Sequence, residues 1–419
     1  MLHCKERLLN KIEANKILVS NFSYVAILQI FNILIPLFTY PYLIRVLSAE
    51  VYGEIVFAQS VIAFFSIVIA FGFEISGVKN VAENRGDVQY LRAVFSSVTY
   101  IKSILLFCCF GILLLLLWIV PFFKGQTLLY LFSFAFCIYD ILFPTWFFQG
   151  IEKMKYTTIV NVVVRLFFMG CMFIFISTSS DYLLYPLLYS LGALLGGALS
   201  LYILYKKEHI FFVRVPCHFV LKVLKESFPF WVSRVSGIIS VETNTLIIGR
   251  FLGMSEVAYY DLAKKIVNIL LIPNSVINTT VYPRIVQTKD KQFVRKVLYL
   301  RLGVAGFIYA GLLCFSTFIV NILGGEEMQM AVPVVNILGL FILLTAVDYY
   351  IGSSVLVAFN YGRVFNLSVV YSLGVYLTMI GVLISCNVVH LYSVIGVVLL
   401  NEFFLTAYRW HYCKKYSLI

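Results

Sequence analysis

The segment YYDLAKKIVNILLIPNSVINTTVYPRI, residues 259–285, sets Asp261, Lys264, Lys265, Asn268, Ser275 and Thr279 at separations of three, four and seven, with Asn274 and Asn278 beside them. Residues so spaced share one face of a helix. Carboxylates on such a face can take up a proton or a cation, and lysines can neutralise an anion. The surrounding residues are apolar enough for a membrane, so a polar stripe means that this face does not see lipid. Pro273 removes one backbone hydrogen bond near its middle and predicts a bend, tolerable where neighbouring groups or cavity water satisfy the freed carbonyl. The competing reading is that Lys264 and Lys265 snorkel to the outer interface with Asp261 as a local partner.

Other ionisable residues also fall inside apolar runs, where each costs roughly 2.5–3.5 kcal/mol unless it faces a cavity or a partner. Arg165 lies about nine residues into its run, ~14 Å of helix. Asp140 lies at nearly the same depth in the preceding run, so an Asp140–Arg165 ion pair is expected, either locking two helices or lining a cavity, with Asn161 one turn from the arginine. Arg234 sits near one end of its run, with Glu242 and Asn244 near the middle. Asp348 and Glu402 are similarly deep. Asp140, Glu242, Asp261, Asp348 and Glu402 are thus the candidate ion-coupling or structural carboxylates, and the sequence does not choose among them.

The elements that hold these residues are membrane spans. Of 419 residues, 61% are hydrophobic and 12% charged, and the mean hydropathy is +0.94. That composition describes a polytopic membrane protein and excludes a soluble one. Twelve runs are long enough to cross, at about 17–46, 54–78, 103–123, 127–149, 157–178, 182–205, 229–252, 258–283, 302–323, 330–358, 365–387 and 390–412. Of the 32 Lys and Arg, 25 fall on the side that holds both termini and three (Arg45, Lys124, Arg250) on the other, which makes the termini cytoplasmic. The net charge of +12 therefore reports topology and not nucleic-acid binding.

Residues 1–205 and 229–419 read as two six-helix lobes joined by a cytoplasmic linker, 206–228. IRVLSAEVYGEI after the first span resembles GRFLGMSEVAYYDL after the seventh, pairing Arg45 with Arg250 and Tyr52 with Tyr259 at an offset of about 205 residues. A weaker match sets Asp140 near Asp348. Parallel lobes of this kind are expected of a transporter rocking about a central cavity. No nucleotide-binding G-x-x-x-x-G-K-[ST], no G-x-S-x-G and no H-E-x-x-H occurs, the five histidines are scattered, and the nine cysteines form no CxxC pair. Neither an enzyme, a cofactor nor a metal site is expected.

In the first span, Lys16 and Arg45 bracket 28 uncharged residues, ~42 Å of helix and longer than the hydrocarbon needs. Arg45 then marks the outer end of a long span, with Pro36 and Pro41 in its outer half where a bend could serve gating. Pro36, Pro41, Arg45, Arg250 and Pro273 form the outer-mouth and gating set. The deeper cations Arg165, Arg234, Lys264 and Lys265, with Asn268, are the expected cationic cavity.

NILIPLFTYPYLIRVL, followed by EVYGEIVFAQS and FGFEISGVKNVAENRGD, resembles the N-terminal lobe of Wzx-type oligosaccharide flippases of the MOP superfamily, to which MATE exporters and lipid II flippases also belong. WFFQGIEKMKYTTI and RFLGMSEVAYYDLAKKI extend the likeness over nearly the whole chain. The resemblance implies an all-α fold of twelve transmembrane helices in two pseudo-symmetric lobes. It implies a multi-pass protein of the bacterial inner membrane that moves an undecaprenyl-pyrophosphate-linked repeat unit, of O-antigen or capsule, from the cytoplasmic to the periplasmic leaflet by alternating access. H+ or Na+ are the candidate coupling ions, and the glycan polymerase and chain-length proteins of the same assembly system the candidate protein partners. Two rivals remain. A MATE-like exporter of small cations should present carboxylates in its cavity, whereas the first span has none from Lys16 to Arg45. A membrane glycan polymerase needs a sizeable external loop, and none is present.

Overall fold

Inside hydrocarbon every backbone N–H and C=O must find its partner within its own segment, so long apolar runs become helices. The computed structural model describes residues 2–419, of which 2–19 and Ser233 are described as backbone only. Its helices are α1 (Leu2–Leu47), α2 (Ala49–Ala70), α3 (Phe73–Glu83), α4 (Val88–Ile119), α5 (Thr127–Ala135), α6 (Tyr139–Leu142), α7 (Thr145–Gly150), α8 (Met154–Phe175) and α9 (Leu184–Lys207). They continue with α10 (Cys217–Phe251), α11 (Met254–Leu270), α12 (Ile272–Thr288), α13 (Lys291–Gly324), α14 (Ala331–Leu338), α15 (Leu340–Tyr349), a π-helical turn (Tyr350–Leu356), α16 (Gly362–Ser385) and α17 (Leu391–Lys415).

Among the described residues, ten stretches are long and apolar enough to cross a membrane. They correspond to ten of the twelve expected spans. The other two expected spans, 229–252 and 258–283, fall on α10 and on α11 with α12. Both are helical, but their Arg, Lys, Asp, Glu and Asn content lowers their hydropathy. α1 continues unbroken through Pro36 and Pro41. The expected bend at Pro273 is a break: α11 ends at Leu270 and α12 begins at Ile272, with the proline in the first turn, where no N–H is needed.

The chain forms two compact units. One comprises residues up to Tyr42 with Ala58–Ile239, the other Leu43–Phe57 with Ser240–Ile419. In the first unit, Phe73, Phe95, Trp146, Phe147, Phe148 and Leu204 belong to a buried hydrophobic core. Lipid tails are as apolar as these side chains, so close packing rather than escape from water holds the helices together. Small residues permit it: a Cβ on Gly196 of α9 would come within 2.1 Å of Val164 of α8. The core of the second unit joins Ile285, Val294, Leu298, Tyr350, Val355 and Cys413.

Three cations assigned by sequence to polar segments are instead interior. Lys102 is 4% exposed, Arg301 1% and Arg409 3%. The helices begin earlier than the apolar runs do, because Asp87 and Asp290 cap α4 and α13 by accepting hydrogen bonds from backbone N–H groups. That adds about four turns before Lys102 and about three before Arg301. The charge bias becomes 22 against three, and its sign is unchanged.

Candidate functional site

In the second unit the charged residues of α11 meet the start of α2. Asp261 is buried, and its Oδ2 accepts a hydrogen bond from Tyr52 Oη at 2.7 Å and an ion pair from Lys265 Nζ at 2.5 Å. Lys265 Nζ also donates to Tyr52 Oη at 2.5 Å. These three polar atoms close a triangle. Lys264 lies apart from it, 3.9 Å from Glu242 Oε1, with both side chains about one-fifth exposed. Below Glu242, the buried Asn244 accepts a hydrogen bond from Tyr376 Oη at 2.8 Å.

The predicted polar stripe divides at the α11–α12 break. Asn268, Ser275 and Thr279 are exposed together with Pro273, whereas Asn274 and Asn278 turn inward. Asn278 donates to Ser353 Oγ at 3.2 Å and accepts from Ser354 Oγ at 2.8 Å. One face thus stabilises the fold, and the other remains an open polar surface.

A second charged group joins α15, α16 and α17. Arg409 Nη1 reaches both carboxylate oxygens of Asp348, at 3.0 and 2.8 Å, while its Nε donates to Ser368 Oγ at 2.9 Å. Glu402 of α17 is a second carboxyl within electrostatic reach of Asp348 and Arg409.

In the first unit, Asp140 Oδ2 accepts a hydrogen bond from Ser66 Oγ at 2.6 Å. The expected Asp140–Arg165 ion pair does not form. The cation joined to Asp140 is Lys102, whose Nζ donates to the Asp140 main-chain carbonyl at 2.7 Å. The fourth expected span is broken into α5, a 3-10 turn at Phe136–Ile138, α6 and α7, and these breaks turn the carboxylate toward α2 and α4 rather than α8. Arg165 is half-buried, within electrostatic reach of Tyr139 and Tyr189. A cavity of about 290 Å³ lies alongside, lined by Gln59, Ser66, Ser133, Phe136, Tyr189 and Ser190 among others. Arg234 of α10 makes an ion pair with Glu74 of α3.

Lys102 and Arg301 perform the same task in different units. Pro144 has no N–H, so the Asp140 carbonyl four residues earlier loses its helical partner, and Lys102 takes its place. At the α15-to-π transition the Tyr350 N–H turns to Val347, and Arg301 Nε donates to the Ala346 carbonyl at 3.0 Å. Arg301 Nη1 also donates to Asn274 O at 2.6 Å, beside Pro273.

At the C-terminal end of α1, Arg45 Nη2 donates to the carbonyl of Ile322 at 2.8 Å and that of Asn321 at 3.4 Å, on the last turn of α13. A cation there complements the exposed carbonyls of a helix C-terminus. Glu327 Oε2 in turn accepts from Ala49 N, at the start of α2, at 3.3 Å. Arg250 ends α10 on the surface.

Sequence reasoning missed Lys102, Arg301 and Arg409 because hydropathy places basic residues in loops. Pro144, four residues beyond Asp140, was the available signal that one carbonyl needed a donor. Tyr52 carries only a repeat signal in the sequence, and nothing local marks it as the partner of Asp261.

Residues 18–289 match the family described as polysaccharide biosynthesis protein. Two relatives are assigned by name as O-antigen transporters. That of Escherichia coli (strain K12) is 27% identical over 353 residues, 83% of this chain and 85% of the relative. That of Shigella dysenteriae is 25% identical over 308 residues, 72% and 76% of the two chains. Among solved structures, the lipid II flippase MurJ in an inward closed conformation matches with a TM-score of 0.75 at 13% identity, covering 93% of this chain and 87% of that one. An inward-facing multidrug resistance MATE family transporter of the MOP superfamily matches at 0.66 and 14%, covering 92% and 98%. The helical membrane fold thus resembles that of these two solved proteins, and the chain belongs to the polysaccharide biosynthesis protein family.

Proposed function

We propose that the chain is a flippase that carries an undecaprenyl-pyrophosphate-linked oligosaccharide repeat unit, of O-antigen or capsule, from the cytoplasmic to the periplasmic leaflet of a bacterial inner membrane by alternating access. Both termini are cytoplasmic in this reading. The observation that carries it is the exposed polar face of α11 and α12, from Lys264 through Asn268 to Ser275 and Thr279, on the part of the chain least suited to lipid. Family membership and the names of the two relatives point the same way.

A pyrophosphate and a glycan need a hydrated, cationic path, while a polyprenyl tail can stay in lipid. Lys264, held only loosely by Glu242, is free to exchange that carboxylate for a phosphate oxygen. Arg165 and Arg234 provide further cationic positions in the first unit. Asp140 and the Asp348–Glu402 pair are the sites where a proton or Na+ would couple to the cycle. The glycan polymerase and chain-length proteins of the same assembly system are the partners that would take the product onward.

The test is complementation of a deletion strain. Individual alanine variants of Arg165, Arg234 and Lys264 should reach the membrane yet lose surface glycan, and a lipid-linked intermediate should accumulate on the cytoplasmic face of the deletion strain. Wild-type glycan display by all three variants would refute the cationic path. Altered drug sensitivity with no accumulated intermediate would favour a small-molecule exporter instead.

A further inference from the structure

Counting back from Ile119, the end of α4, about 20 residues of helix cross a hydrocarbon layer of ~30 Å and reach Tyr100. The turns around Tyr100 therefore lie at the level of lipid headgroups, where tyrosine is favoured. They carry Ser96, Ser97, Thr99, Tyr100 and Ser103, which line one wall of a cavity of about 680 Å³. The opposite wall is the segment between α9 and α10, with Phe212 and Arg214.

That second wall is fixed in place. The Val213 N–H donates to Ser96 Oγ at 2.9 Å, and Arg92 Nε and Nη2 donate to the His209 carbonyl at 3.0 and 2.8 Å. Phe212 packs on Phe95 with ring centroids 5.1 Å apart. Arg214 is exposed at the rim and makes no hydrogen bond or ion pair among the described residues. Tyr100 and Phe212 are 61% and 50% exposed, leaving an apolar mouth at the depth where acyl chains begin.

The hydrogen-bonding groups narrow the ligand. Thr99 and Ser103, both partly exposed, donate their hydroxyl protons to the carbonyls of Phe95 and Thr99, at 2.9 and 2.8 Å. Their oxygens thus offer lone pairs to a donor, while Arg214 offers charge and donors to a phosphate. A headgroup donor is either an ammonium or a hydroxyl. Residues 206–226 carry Lys206, Lys207, Arg214, Lys222 and Lys225 against Glu208 and Glu226, which are themselves paired with Lys153 at 2.6 Å and Lys222 at 4.0 Å. A positive field of this kind disfavours an ammonium and favours net negative charge.

We propose that this cavity binds the headgroup of an anionic, hydroxylated glycerophospholipid, its phosphate on Arg214 and its glycerol hydroxyls on the serine and threonine oxygens. The site belongs to the first unit and the polar face of α11 and α12 to the second, and the proposal does not depend on the flippase reading.

Native mass spectrometry of the full chain, delipidated in detergent and titrated with phosphatidylglycerol or phosphatidylethanolamine, tests it. One phosphatidylglycerol per chain should be retained in preference to phosphatidylethanolamine. Arg214→Gln should weaken that binding about tenfold, the loss of one charge-assisted contact. Thr99→Val should reduce the preference for phosphatidylglycerol. Lys222→Gln, on the same basic segment but outside the cavity, should bind as the wild type does. Equal retention of the two lipids, or equal losses in the Arg214 and Lys222 variants, would overturn the proposal in favour of diffuse surface charge. Retention of undecaprenyl phosphate without phosphatidylglycerol would also overturn it and assign the cavity to a transported lipid.

Discussion

Lys102 Nζ lies 2.7 Å from the main-chain oxygen of Asp140, and the proline four residues beyond that oxygen explains why. A carbonyl stripped of its helical partner inside a membrane costs several kcal/mol unless another donor reaches it. Here the donor is a lysine from a neighbouring helix, and the Asp140 carboxylate supplies it with a counter-charge.

If this is the role of Lys102, its loss should be felt less when the proline is removed as well. Lys102→Met should lower stability by about 2 kcal/mol, the cost of an unmade buried hydrogen bond. In a Pro144→Ala background the restored N–H can serve the carbonyl, and the same substitution should cost at least ~1 kcal/mol less. Thermal unfolding of the four proteins in one detergent measures the coupling. Equal costs in both backgrounds would assign Lys102 to the carboxylate alone.

Arg409 should tolerate lysine poorly and methionine worse. Lysine keeps a charge near Asp348 but cannot also hold Ser368, for a loss of about 1–2 kcal/mol. Methionine leaves Asp348 and Glu402 without their cation, a loss of about 3–5 kcal/mol. Adding Asp348→Asn to Arg409→Met should recover part of it. The order of melting temperatures decides, and equal melting of the lysine and methionine variants would contradict the geometry.

Adjacent lysines on α11 should separate stability from transport. Lys265→Met strips the buried Asp261 of its cation and should destabilise strongly. Tyr52→Phe, which leaves the direct Lys265–Asp261 pair intact, should cost only about 1–2 kcal/mol. Lys264→Met breaks a loose, partly exposed pair and should change stability by less than ~1 kcal/mol, while surface glycan display is lost. Unfolding and complementation on the same variants test this, and a Lys264 variant that unfolds as readily as the Lys265 variant would remove the distinction.

Gly53 should not accept alanine. A Cβ there would fall 1.8 Å from the Met254 carbonyl oxygen, so the start of α2 or of α11 would have to move. The cost should be at least ~1–3 kcal/mol and should show as reduced folded yield. Gly125→Ala, where a Cβ meets nothing within 4 Å, is the matched control and should be near neutral.

What the sequence determined by itself was the membrane class and the helical architecture, because hydropathy is a local property. The split at Pro273 and the capping of α4 and α13 by Asp87 and Asp290 were within reach of the same local rules. Which charge meets which was not. Asp140 and Arg165 share a depth, yet the carboxylate turns to Ser66, because the breaks around α6 reset its direction and depth says nothing of azimuth. Lys264 and Lys265 are adjacent in sequence, but a 100° step around the helix sends one to Glu242 and the other to Asp261 and Tyr52. Lys102, Arg301 and Arg409 look like loop residues in the sequence because the free energy that keeps a cation buried comes from partners on other helices. Only the tertiary structure supplies those partners.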